Sequence, residues 1–136
     1  NIIIQFSPTC PFVTSEIIDK CIEASRQCDS VVTLKRIEHE HPYRAKQLYN
    51  GNYFRPFIKD IDVEKFQSRQ ELPELYCTSG AIYLRKRKCL EQWTGNDFAL
   101  GDRSKGIILT DIESTNIDRP IDFHYAEFLF EKKLHL

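Results

Sequence analysis

Apolar positions in this chain come in short runs, separated by polar segments that carry proline and glycine. Asn1-Ile2-Ile3-Ile4-Gln5-Phe6 is a continuous apolar run of strand length, which predicts a buried strand with neighbours on both faces. Ser7-Pro8-Thr9-Cys10-Pro11 is a turn, because two prolines do not sit in a central strand. Thr14 or Ser15 then caps a helix whose Ile17, Ile18, Cys21 and Ile22 share one face, and which ends near residues 27–29. Ser30-Val31-Val32-Thr33-Leu34 is the next buried strand. Such a strand–helix–strand unit favours a right-handed parallel crossover.

Further along, Ile37-Glu38-His39-Glu40-His41-Pro42 alternates His with Glu and stops at a proline. In an extended segment His39 and His41 fall on one face and the glutamates on the other, so a solvated strand or loop is favoured over a metal site. Asn50-Gly51 suits a tight turn with both central residues at positive φ, and it centres a hairpin over residues 43–57 that is rich in Tyr and Phe. A short helix is expected over residues 59–66. Ser79-Gly80-Ala81-Ile82-Tyr83-Leu84 is the strand around which the rest is organised, entered through the polar loop Arg69-Gln70-Glu71-Leu72-Pro73. The basic run from Arg85 to Lys88 reads as the solvated start of a helix carrying Cys89, Leu90 and Trp93. Gly95 and Gly101 bracket a loop, and residues 105–110 form a strand. Pro120 then fits the first turn of a last helix, with Ile121, Tyr125, Phe128 and Leu129 at helical spacing. Strands alternating with helices give an α/β class, and no repeat or linker divides residues 1–136.

Composition narrows the function classes. At 136 residues the chain is one domain with enough length for a core, and 41% hydrophobic with 29% charged residues is a globular balance. A formal net charge of -1 offers no electrostatic case for nucleic acid. No apolar run approaches the roughly 20 residues of a membrane span, and none reads as a signal-peptide core, so no membrane partner is expected. The five cysteines are odd in number and form no CxxC, which favours free thiols in a reducing cytoplasm. Arg69, at the mouth of the organising strand, is either an ordinary surface cation or a ligand for an anion at a strand end.

Arg69-Gln70-Glu71-Leu72-Pro73, Tyr76 and Ser79-Gly80-Ala81-Ile82-Tyr83 together resemble the centre of the acylneuraminate cytidylyltransferases, the CMP-sialic acid synthetase family. Four further pieces follow that family's order. They are Ser7-Pro8-Thr9-Cys10-Pro11-Phe12, Asp29-Ser30-Val31-Val32, His41-Pro42, and Ile117-Asp118 followed by Asp122-Phe123 and Ala126-Glu127. The resemblance implies a Rossmann-like mixed sheet of the nucleotide-diphospho-sugar transferase type, with the hairpin over 43–57 projecting as a dimerisation arm. It also implies CTP and a nonulosonic sugar acid as substrates, pyrophosphate as product, and a homodimer. The family's phosphate-holding Ala-Arg-x-Gly-Ser-Lys segment has no match. The chain is therefore expected to be the C-terminal portion of a larger enzyme, or a truncated relative.

Site roles carry over one residue at a time. The family holds Mg²⁺ with Asp-Ile-Asp; here the segment is Asn116-Ile117-Asp118, which keeps Asp118 and replaces one carboxylate by an amide. On residue type alone, Asp118 also fits a carboxylate at a helix N-terminus. Arg44 matches the hairpin cation and Arg69 the loop arginine that hold the sugar acid, a task suited to the bidentate guanidinium. Ser7 stands where the family has glutamine, Ser79 where it has asparagine, Cys77 and Val13 where it has arginines, and Tyr83 keeps its place. These departures leave open a different sugar or sugar phosphate as substrate, and a non-catalytic relative that keeps fold and dimer surface.

Overall fold

The strand expected to organise the chain lies at the centre of its sheet. The computed structural model describes residues 1–62, 65–66, 68–95 and 98–135. In it, β5 (Tyr76–Lys86) is flanked by β1 (Ile2–Phe6) and β2 (Ser30–Arg36), and β6 (Ser104–Leu109) lies beyond β2. β1 runs antiparallel to β5, pairing Ile2 with Lys86 and Phe6 with Ile82. β2 runs parallel to β6, from Ser30 opposite Ser104 to Lys35 opposite Leu109. Helices α1 (Ser15–Ser25), α2 (Arg87–Glu91) and α3 (Pro120–Glu131) complete a mixed α/β arrangement compatible with a Rossmann-like fold.

Apolar burial explains this order. Val31, Ala81, Ile82 and Leu84 are fully buried, and α1 adds Ile17 and Cys21 from the face that the i, i+4 spacing marks. Complete burial of a Leu or Ile side chain stabilises by about 1.5–3 kcal/mol. The Thr14 hydroxyl accepts from the Ile17 N–H at 3.4 Å and caps α1 where expected. A smaller cluster of Phe12, Ala126 and Leu129, with Ile112 and Ile117 against it, seats α3 near the turn that follows β1.

Three expectations are corrected. β1 is a strand, but it is an edge strand, and Ile2, Ile3 and Phe6 are 41–48% exposed rather than buried on both faces. β1 and β2 are not neighbours, because β5 inserts between them. α3 buries Ala126 and Leu129, while Ile121, Tyr125 and Phe128 are exposed. Its sequence PIDFHYAEFLFE is apolar on several sides, so periodicity alone does not select the buried stripe.

The chain divides into two compact units, residues 1–35 with 77–136, and residues 36–76. Within the second, a hydrogen bond from Ile37 N–H to the Leu75 carbonyl, 2.9 Å, closes the neck. Its hairpin consists of β3 (Lys46–Tyr49) and β4 (Tyr53–Pro56), with Tyr49 opposite Tyr53. Asn50 and Gly51 sit at φ 44° and 87°, the positive values the Asn-Gly pair was expected to adopt. Every residue of β3 and β4 is exposed. In the helix expected over 59–66, residues 63 and 64 lie outside the described residues, and 59–61 run as bends.

Candidate functional site

In the first unit the turn after β1 and the segment before α3 meet. Ser7 follows the last residue of β1, and its N–H is held by the Ala81 carbonyl at 3.0 Å. Ile117 N–H donates to the Thr9 carbonyl at 2.9 Å, which fixes the 116–118 segment against the turn. The side chains continue the connection. The Ser7 and Thr9 hydroxyls are 2.7 Å apart, Thr9 Oγ1 donates to Asn116 Oδ1 at 2.5 Å, and Asn116 Nδ2 donates to Asp118 Oδ2 at 2.7 Å. Three of the expected site residues, Ser7, Asn116 and Asp118, therefore stand in one hydrogen-bonded string. Thr9 links them and was not singled out from the sequence; its place in a Ser-Pro-Thr turn was the available signal.

Two neighbours define the chemistry of this string. Burial pushes the Cys10 thiol up, and Asp118 adds to that, while hydrogen bonds from Ser7 and Thr9 pull the other way, so Cys10 stays a neutral thiol rather than a nucleophile. Asp122 accepts from the N–H groups of Asp118 and Arg119 and from the Arg119 guanidinium, and the Arg119 hydrogen bond holds its carboxyl below the usual range. Asp122 thus caps the first turn of α3, and Asp118 lies one residue before the N-cap, Arg119.

Asp118 is the one carboxylate in this string, and its Oδ2 already accepts from Asn116 Nδ2. Asn116 turns its NH₂ toward Asp118, and its oxygen accepts from Thr9, so the two side chains do not present oxygens to one point. An oxygen of Asn116 placed 2.7 Å from the carboxylate would be repelled, which fixes the amide orientation. Magnesium is commonly bound through one or two carboxylates with substrate phosphates and water. Among the described residues no group of three or more His, Cys, Asp or Glu could hold a metal ion.

Ser79 and Tyr83 sit on β5. The Ser79 hydroxyl is buried and donates to Thr33 Oγ1 at 2.7 Å, with the Thr33 carbonyl at 3.1 Å. Its described partners are therefore within the sheet. The Tyr83 ring stacks on Phe98, 5.8 Å between centroids, with the Arg85 guanidinium 4.9 Å from its centre. Arg85 was expected in a solvated helix start. Instead it lies in β5, one residue before its end, as a buried side chain that donates from Nε to the Phe98 carbonyl at 2.7 Å and from Nη1 to Gln5 Oε1 at 3.1 Å.

Arg44 and Arg69 belong to the second unit. Arg44 is the exposed last residue of a 3₁₀ turn, Pro42–Arg44, which His41 opens by accepting the Tyr43 N–H on Nδ1 at 3.2 Å. Arg69 begins the 3₁₀ turn Arg69–Glu71 and is ion-paired with Glu38. Arg36 Nε lies 3.3 Å from Glu38 Oε1 and 3.3 Å from Glu74 Oε1. These four charges border a cleft of about 280 Å³ that His41 and Pro73 also line. Glu38 and His41 were expected in a bland loop; their contacts could be found only with the fold in hand. Compared with models of known protein families and with curated proteins, the chain matches none.

Proposed function

We propose that the chain belongs to a nucleotidyltransferase of the acylneuraminate cytidylyltransferase type, which transfers CMP from CTP to a sialic-acid-like sugar and releases pyrophosphate. The observation that carries this reading is the string Ser7–Thr9–Asn116–Asp118, which joins positions 107 apart in sequence at the exit of a sheet strand. Ligands of open α/β sheets gather at strand ends, and a carboxylate there suits a phosphate-bound cation. Magnesium, when bound, supplies charge neutralisation at the phosphates. Asp118 is the residue that would hold it, Asn116 orients Asp118, and Arg69 and Arg44 supply guanidinium groups for the sugar carboxylate. The exposed aromatic hairpin is proposed as the contact of a homodimer. Tyr53, Phe54 and Phe57 are 63–69% exposed, and a two-stranded hairpin is marginal without something to pack on.

A second reading, a non-catalytic relative retaining fold and dimer surface, is favoured by two observations. Asn116 turns a donor rather than an acceptor toward Asp118, and Ser79 spends its hydroxyl on Thr33. Pyrophosphate release by the full-length protein in the presence of CTP, Mg²⁺ and N-acetylneuraminate separates the two. Release that requires both substrates, and that falls by several orders of magnitude in Asp118→Ala with folding intact, is expected for the transferase. Sugar-acid binding without release identifies the non-catalytic relative. Neither binding nor release overturns both readings.

A further inference from the structure

The second unit contains an arrangement that the sugar-acid reading of Arg69 leaves unexplained. Glu38 gives one carboxylate oxygen to Arg69 and the other to Arg36, so a single carboxylate bridges two guanidinium groups. That is the pose a ligand carboxylate would take between two arginines. The cleft around it is braced from behind. The His41 ring is buried, with Nδ1 accepting from the Tyr43 N–H, so Nε2 carries the hydrogen and donates to the Pro73 carbonyl at 3.1 Å. This ties the strap at residues 41–43 to the loop that follows Arg69. The ion pair itself remains open to water, with the Arg69 and Glu38 side chains 48% and 37% exposed.

We propose that this cleft is a carboxylate-exchange site, in which Glu38 is the resident counter-ion, Arg36 is a second recognition cation beside Arg69, and the incoming ligand is a sugar acid. The roles of Glu38 and Arg36 rest on the reading of Arg69 as a sugar-acid ligand. A water-exposed ion pair is worth at most about 1 kcal/mol, so replacing Glu38 by a ligand carboxylate sacrifices little. The displaced Glu38 stays tethered nearby and competes, which lowers the apparent affinity by the fraction of time it occupies the arginines. Glu38 meets the two guanidinium groups with one oxygen each, a planar two-oxygen geometry that a ligand carboxylate reproduces and a tetrahedral phosphate does not, so the site favours the carboxylate.

Calorimetry on the full chain tests this with two probes, N-acetylneuraminate and inorganic phosphate. Wild type is compared with Glu38→Gln, Arg36→Gln and Arg69→Gln, and Glu38→Ala is carried beside Glu38→Gln in case one of them folds poorly. Removing the competing carboxylate is expected to tighten sugar-acid binding by up to roughly fivefold. Loss of either arginine is expected to weaken it at least as much, with phosphate weaker than the sugar acid throughout. If Glu38→Gln binds no better than wild type while Arg69→Gln abolishes binding, the exchange is overturned and the Arg69 reading stands. If no folded variant binds the sugar acid, both fall. Phosphate binding as tight as the sugar acid overturns the carboxylate preference.

Discussion

Replacing Thr33 by valine keeps the shape of a buried side chain and removes one hydroxyl. That hydroxyl sits at the junction of β2 with β5, where Gly80 adopts φ 79° and the extended course of β5 is interrupted, as at a bulge. Thr33 Oγ1 accepts from the Ile82 N–H at 2.9 Å and from the Ser79 hydroxyl at 2.7 Å, and Thr33 is only 1% exposed, so solvent does not replace it. Leaving the Ile82 N–H without this partner, and losing the hydroxyl's own 3.3 Å bond to the Ile82 carbonyl, together cost about 2–3 kcal/mol. Ser79 retains the Thr33 carbonyl at 3.1 Å and adds little to that cost. The extra buried methyl returns roughly 0.8 kcal/mol. Thr33→Val is therefore expected to destabilise by about 1–2 kcal/mol, seen in urea unfolding by far-UV circular dichroism as a lower midpoint at unchanged slope. Ser79→Ala in the Thr33→Val background is expected to cost less than in wild type, with a coupling of at least about 0.5 kcal/mol. A valine variant as stable as wild type, or a strictly additive double mutant, would refute the account of this junction.

Three further outcomes are expected. Asp122 has a depressed carboxyl pKa through Arg119, so its ionised form favours the folded state; that contribution is present above the ordinary carboxylate range and is lost as pH falls through the depressed value. Asp122→Asn is accordingly expected to lower the melting temperature at neutral pH and to match wild type in acid. Arg85→Lys is expected to cost about 2 kcal/mol, because an ammonium cannot serve both the Phe98 carbonyl and Gln5 from within the sheet; an unfolding curve superimposable on wild type would count against it. Light scattering is expected to show a dimer for wild type and a monomer for the Tyr53→Asp, Phe54→Asp double variant. A monomeric wild type, or a variant that stays dimeric, sinks the arm.

Legibility in the sequence followed the strength of local signals. The central strand, α1 with its Thr14 cap and the Asn50-Gly51 hairpin could be read because each has one dominant cause: continuous apolar residues, a single stripe, or a turn demanding positive φ. β1 could not be placed at the edge, since Ile2-Ile3-Ile4 looks the same whether or not anything covers it. Arg85 was misjudged because a charge beside Lys86, Arg87 and Lys88 reads as solvated, and its acceptors, Gln5 and the Phe98 carbonyl, come from distant positions. The site shows the same division. Residues 7, 116 and 118 were individually visible, but Thr9, which joins them, emerges only when the end of β1 and the start of α3 come together. Likewise Glu38 and Arg69 are 31 positions apart, and nothing local foretells their pairing.

The five free cysteines sort themselves by accessibility: Cys10, Cys21, Cys28 and Cys89 are buried, and Cys77 is partly open. Thiol reagents attack only the deprotonated, reachable sulfur, so under native conditions Cys77 is the first to be modified. Cys21, at 0% exposure on the inner face of α1, becomes reachable only when that helix lifts from the sheet. The chain thus carries its own set of chemical clocks: the modification rate at each position measures how often that part of the molecule opens, from the mouth of β5 to the centre of the core.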